Sequence, residues 1–268
     1  MSMALQTKAL DALLRTLKPL ADEKPLTTEQ QTAALKKALA ALDGLDIAGL
    51  RSELDRRHDE LQQKATTDLA RRREDLLRGS REKSIPHKRF TDYDRVGPFK
   101  VSYKNKKVAL DVGSEKMVEL EELSGTRLLA ALQEKMAELE KDPFSREEFF
   151  ACLKEALRMA KERGLAEDGR LPIKRIFPFF VLAKQASREA FLQKPSTKTF
   201  QEYPIFQFVY DLARFGRDGW RLGDEVLRTQ TPNMATISQG KTIMLPALDS
   251  QDAVGQQVAV VWIEKREG

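Results

Sequence analysis

From Asp46 to Lys83 apolar residues recur at helical spacing, at Leu50, Leu54, Leu61, Ala65, Leu69 and Leu76, within a stretch otherwise filled by Arg, Glu, Asp, Gln and Lys. Asp46 is a suitable N-cap and no proline follows before Pro86, so the pattern predicts one long, charged helix. Leu54, Ala65 and Leu76 lie eleven residues apart. That period favours a nearly straight or slightly right-handed pairing over a leucine zipper. At about 1.5 Å rise per residue the helix is roughly 55 Å long, more than a small domain covers, and it is expected to project or to pair with another helix.

Two shorter helical patterns precede it. Leu5, Ala9, Leu13 and Leu17 form one stripe from Ser2 to Leu17, which Lys18-Pro19 ends. Thr28 with Gln31 forms a capping box for a second helix, carrying Ala34, Leu35, Leu39 and Leu42 and closed by Asp43-Gly44. Three helices joined so closely predict an antiparallel hairpin or bundle over residues 1–85, a coiled-coil-like arm. No aromatic residue occurs before Phe90, so its core is thin, and self-association or docking on another coiled coil would complete it.

After Ser84-Ile85-Pro86 the period changes. Phe99, Val101 and Tyr103 alternate with Lys100, Ser102 and Lys104, and beyond Asn105-Lys106 the residues Val108, Leu110 and Val112 alternate again. This predicts a β-hairpin over 98–112 with a basic polar face, followed by a short strand at Lys116 to Leu120. Helices are expected at Arg127 to Glu140, after the Ser145/Glu148 capping box to Arg163 with Gly164 as the stop, at Phe179 to Phe191 opened by Pro178, and at Ile205 to Phe215 opened by Pro204. The last is apolar on most sides and belongs at the centre of the core. Strands are read at Glu225 to Thr231, Ala235 to Gln239, Lys241 to Leu245 and Gln257 to Glu264. The last is apolar enough to be a buried central strand. The class is therefore α+β, mainly helical. Residues 86–268 form one domain with helices over 125–215 and a small antiparallel C-terminal sheet over 222–266; helices with a β-hairpin also fit a winged-helix-like layout.

Composition narrows the picture. The chain has 268 residues, of which 32% are charged, and a single cysteine, Cys152. One cysteine excludes an intramolecular disulfide framework and fits a reducing cytoplasm, and its neighbours Phe149, Phe150, Leu153 and Leu157 place it in a core. No 18-residue apolar run or signal-peptide pattern is present, so a cytoplasmic protein without membrane contact is expected. The net charge of +5 hides a segregation. Residues 71–107 carry 13 Lys and Arg against 5 Asp and Glu, residues 111–148 carry 5 against 11, and residues 170–198 carry 7 against 1. The blocks could form separate binding faces or attract one another.

Catalytic motifs are weak. Ala235 to Thr242 (ATISQGKT) matches a permissive phosphate-binding loop, but Ile243-Met244-Leu245-Pro246 follows where that loop requires a helix, so a turn between two strands is the better reading. Asp249 or Asp252 with Glu264, Lys265 and Arg266 resembles the acidic pair and lysine of metal-dependent nucleases, with arginine at the third position. Asp92, Asp94 and Asp111 are weaker metal candidates, and His58 and His87, the only histidines, lack ligand neighbours at useful spacing. No catalytic residue, cofactor or metal site is expected.

The first basic block carries the functional expectation. Arg71, Arg72, Arg73, Arg78, Arg81 and Lys83 end the long helix, where cations also oppose the helix dipole, but Lys88, Arg89, Lys100, Lys104, Lys106 and Lys107 lie beyond it. Helix end, linker and hairpin would form one cationic surface that neutralises phosphates without reading bases. The reading is a non-enzymatic accessory protein that binds nucleic-acid backbone in a sequence-tolerant way and assembles, as a homo-oligomer or on a partner, through its helical arm. The alternative is a scaffold subunit docking on an acidic, coiled-coil or ATPase partner, and the third reading is a metal-dependent nuclease.

Overall fold

The computed structural model describes residues 7, 8, 10–12, 14, 15, 18, 33, 36, 37, 47–104, 107–121, 123–166, 169–186, 188–248 and 255–265. The chain divides into two compact units, Met1–Ala70 and Arg71–Gly268. In the first, the described residues between Thr7 and Lys18 and at Ala33, Lys36 and Lys37 are helical. Most of the two short helices expected there lies outside the described residues. The long helix α1 runs Ile47–Glu82, and its residues from Arg71 onward belong to the second unit. Of its eleven-residue repeat, Ala65 is exposed while Leu76 is fully buried in the core of the second unit; the side chains of Leu50, Leu54 and Leu61 are outside those described. Among the described residues no helix is long and apolar enough to cross a membrane.

The end of α1 is a Schellman motif built on serine. Ser84 adopts a positive φ of 54°, Ile85 N–H donates to the Ser80 carbonyl (2.9 Å) and Ser84 N–H to that of Arg81 (3.0 Å). The chain then turns directly into a five-stranded antiparallel meander, β1(His87–Arg89), β2(Tyr93–Val96), β3(Phe99–Lys104), β4(Lys107–Val112) and β5(Glu115–Glu121), in that spatial order. The expected hairpin is β3 and β4, at the middle of this sheet rather than a free two-stranded wing. Residues 87–96, read from sequence as a linker, supply two further strands.

One face of the meander is apolar. Val96, Phe99, Val101, Val108, Leu110 and Val112 are all buried on it, packed in one cluster with Leu76 of α1 and with Leu128, Leu129 and Leu132 of α2(Gly125–Leu139). Small residues let the two helices meet: a Cβ added at Gly125 would lie 2.7 Å from the Arg72 carbonyl oxygen. Ser124 caps α2, and Ser145 caps α3(Arg146–Glu162) by accepting from Glu148 N–H at 3.2 Å. A tilted aromatic cluster of Phe149, Phe180 and Phe208 joins α3 to α4(Ile173–Ala186) and α6(Ile205–Arg217), with the short α5(Glu189–Gln193) between the latter two. Pro178 lies inside α4 rather than opening it. As its composition indicates, α6 is central: it packs on β4 and β5 as well as on α3.

The C-terminal strands form two small antiparallel sheets. β11(Val260–Lys265) lies between β6(Leu171–Pro172) and β8(Glu225–Gln230), with β7(Arg221–Leu222) at the edge. β9(Ile243–Leu245) pairs with β10(Gln256–Val258) as a ribbon. The segment read as a strand at Ala235 to Gln239 is a one-turn helix instead, α7(Met234–Ser238), because Asn233 and Ala235 carbonyls accept from Ile237 and Gln239 N–H. The class is mixed helix and antiparallel sheet, α+β.

Candidate nucleic-acid interface

Strand alternation sorts the cations of the meander by face. In β2, Asp94 and Val96 are buried on the inner face, which turns Tyr93 and Arg95 outward. Register then places Lys88 opposite Arg95, Arg95 opposite Lys100, Lys100 opposite Asp111 and Asp111 opposite Lys116. One row across the outer face thus begins with three cations side by side. Directly opposed like charges repel, and Asp111, opposite Lys100, is a counter-charge within the same row.

The neighbouring aromatics complete the surface. Phe90 and Tyr93 stack with ring centroids 4.5 Å apart, Lys88 Nζ lies 5.7 Å from the Phe90 ring centre, and Lys100 Nζ lies 5.1 Å from that of Tyr93. Cation, ring, ring and cation form one stack on the outer face, which holds both ammonium groups without burying them.

The twelve cations read from the sequence do not form one surface. Arg73 turns inward: its Nε and Nη2 donate to Asp94 (3.0 and 2.8 Å), and its Nη groups also donate to the Phe90, Thr91 and Tyr93 carbonyls. It is a structural cation, removed from any phosphate by a carboxylate that it must satisfy. Because Asp94 is on the inner face, the end of α1 lies on the opposite side of the meander from the outer row. Arg71, Arg78, Arg81 and Lys83 are exposed there and Arg72 is half-buried; Arg78 pairs with Asp75 (2.7 Å), and Lys83 donates to Gln133 (2.5 Å). Arg89, on the Asp94 side, approaches Glu74 at 3.7 Å. Lys107 pairs with Glu119 at 2.6 Å. Lys106 and the side chain of Lys104 lie outside those described. Lys88 and Lys100 lie on the outer face.

The segregated blocks mate within the chain, through Lys107 and Glu119 and through Lys174 and Glu115 (3.1 Å). Arg95, counted in the first basic block but not singled out because β2 was not recognised, stands between Lys88 and Lys100 in the outer row. Burial alternates along Tyr93-Asp94-Arg95-Val96 but polarity does not, because Asp94 takes an inner position; only Gly97, whose φ is 56°, marks the turn in the sequence.

Beside the outer row lies a cleft of about 450 Å³. Phe90, Tyr93, Arg95 and Lys100 form one wall, Met244, Leu245 and Pro246 another, and Lys174 reaches in from the start of α4. Gly113 allows the β9 ribbon to come this close to the meander, and Gly255 allows close pairing within the ribbon. A Cβ at Gly113 would stand 1.7 Å from the Met244 carbonyl oxygen, and one at Gly255 2.3 Å from that of Leu245. Ser114 Oγ accepts from Met244 N–H at 3.0 Å and fixes the contact.

The remaining chemical candidates are occupied or absent. ATISQGKT runs from α7 through Gly240 into β9, the reverse of the strand, loop and helix order that a phosphate-binding loop needs. Glu264 accepts from Arg228 Nε (2.9 Å) and Trp262 Nε1 (2.7 Å), hydrogen bonds that lower its pKa, while Asp249, Asp252 and Arg266 lie outside the described residues. No group of three His, Cys, Asp or Glu suited to a metal occurs among the described residues. His87 is buried with Nε2 3.6 Å from Asp94. Its Nδ1 is a buried polar atom without a hydrogen-bond partner.

A second cleft, of about 550 Å³, contains the half-buried Cys152 and a buried carboxylate, Asp211, which accepts from Tyr203 Oη at 2.7 Å. Burial raises the pKa of Asp211 against the lowering effect of its hydrogen bonds, and burial raises that of Tyr203 as well. Comparison with known proteins finds no matching family model, no similar curated protein and no similar solved structure.

Proposed function

We propose that the protein is a non-enzymatic nucleic-acid-binding accessory protein whose contact surface is the outer face of the β1 to β5 meander. The observation that carries this reading is the cross-strand row Lys88, Arg95, Lys100, three cations side by side on the outer face and flanked by a stacked aromatic pair. Such a surface neutralises phosphates and offers ring faces and edges to unpaired bases, which favours single strands and gives little discrimination between sequences.

Fluorescence anisotropy of the full chain with labelled single-stranded and duplex oligonucleotides at two salt concentrations tests it. Three phosphate contacts give a slope of log affinity against log salt of roughly −2 for a single strand. The triple reversal K88E/R95E/K100E should abolish binding, whereas reversal of Arg71, Arg78 and Arg81, on the other side of the meander, should weaken it only modestly. Unchanged affinity in the sheet variant would overturn the assignment.

A further inference from the structure

The cleft beside the outer row has a composition that a plain phosphate-binding surface does not need. Arg95 and Lys100 are neighbours across β2 and β3, and Lys174 approaches from α4, so cations from two separate parts of the fold line one space. Glu115 takes one donor of the Lys174 ammonium at 3.1 Å, which orients it and leaves two others. Between these cations the lining is mostly apolar, with the Phe90 and Tyr93 rings, Met244, Leu245 and Pro246; Ser114, Thr242 and Gln257 are its polar members. Its volume of about 450 Å³ falls within the roughly 300–1,000 Å³ range of small-molecule sites. Gly113 lets the second wall pack on the turn after β4, where Ser114 Oγ accepts from Met244 N–H, so the space is built into the fold.

We infer that this cleft binds one nucleotide unit, with the phosphate held by Arg95, Lys100 and Lys174 and the base held between the aromatic and apolar walls. The inference deepens the proposed function and rests on it in one respect, that the unit belongs to a strand lying on the sheet. A free nucleotide offers the same chemistry, and the two sources are separable.

Isothermal titration of the full chain with adenosine monophosphate, inorganic phosphate and a single-stranded oligonucleotide distinguishes them. The monophosphate should bind more tightly than phosphate and be displaced by the oligonucleotide. Its affinity should fall by about tenfold or more in K174A, which removes a charge-assisted hydrogen bond, and in A247W, which fills the cleft. Binding no tighter than phosphate, or binding unaltered in both variants, would overturn the inference. Salt-sensitive oligonucleotide binding with no monophosphate binding overturns the cleft site and leaves the sheet surface standing. Monophosphate binding with no oligonucleotide binding does the opposite and makes the cleft a site for a free nucleotide.

Discussion

Arg73, near the end of α1, and Asp94, in β2, form a two-pronged ion pair at 3.0 and 2.8 Å that fastens the helix to the inner face of the meander. The Asp94 side chain is fully buried and that of Arg73 is 11% exposed, so neither charge has water to fall back on. Tyr103 Oη donates a further bond to Asp94 at 2.9 Å. Removing one partner of a buried pair leaves an uncompensated charge, which costs about 3–5 kcal/mol. R73A and D94A should each lose stability on that scale in urea denaturation. R73K should recover little, because one ammonium cannot reach both carboxylate oxygens and the Phe90, Thr91 and Tyr93 carbonyls together. A loss below about 1 kcal/mol in R73A would show that the pair does not hold the helix.

The same carboxylate gives the acid limb of the stability profile. Burial alone would raise its pKa, but the neighbouring His87 and the hydrogen bonds from Arg73 and Tyr103 outweigh burial and lower it. A carboxyl whose folded pKa is depressed stabilises the fold above its unfolded value, near 4, and that contribution disappears as pH falls through the folded value. Stability should therefore decline below about pH 4, and D94N, although weaker at neutral pH, should show a flatter decline. Parallel acid limbs for wild type and D94N would contradict this.

Asp211 acts with the opposite sign. Its pKa is raised by burial, so the folded state holds its proton more tightly than the unfolded chain, and the resulting stabilisation is present at low pH and lost as pH rises through the folded value. The stability difference between D211N and wild type should shift in favour of the variant between pH 4 and pH 7. Guanidinium midpoints at the two pH values read the shift directly, and a shift towards wild type would refute the assignment.

Gly113 is required twice over. Its φ is 62°, and a Cβ would lie 1.7 Å from the Met244 carbonyl oxygen. The left-handed conformation costs a non-glycine residue about 1–2 kcal/mol before the clash is counted. G113A should therefore lose more than about 2 kcal/mol. It should also impair nucleotide binding at the cleft, since the only relief from the clash is retreat of β9.

Sequence pattern was most informative where burial follows polarity. β3 and β4 are half-buried strands whose inner positions are apolar, so Phe99, Val101, Leu110 and Val112 show the period that the sheet imposes. β1 and β2 break that relation, because His87 and Asp94 occupy inner positions, Asp94 being satisfied by Arg73 and Tyr103 from distant parts of the chain and His87 lying 3.6 Å from the same carboxylate. A buried aspartate with partners 9 and 21 residues away leaves no local trace. The error at Ala235 to Gln239 has a different origin: a five-residue helix is too short to display a 3.6 period.

The site was legible in part for the same reason. Charge counting found Lys88 and Lys100 but could not distinguish them from Arg73, which has the same composition around it and faces inward. Nor could it join Lys174 to a cleft whose other cations lie more than seventy residues earlier in the chain. What separates these residues is face and register, and both follow from two strands that the sequence pattern hides.

Ala259 is where the chain passes from the β9 ribbon to the other sheet. Gln256–Val258 pairs with β9, Val260–Lys265 pairs with β8, and between them Ala259 N–H donates to the Gln230 carbonyl while its own carbonyl accepts from Ile173 N–H. The wall of the cleft is therefore not a flap on a slack tether but one end of a taut bar, anchored at its midpoint and continuing as the central strand of a second sheet. A load on β9 is delivered along that bar, and amides of β8 and β11 should slow their hydrogen exchange when the cleft is filled, although no ligand touches them.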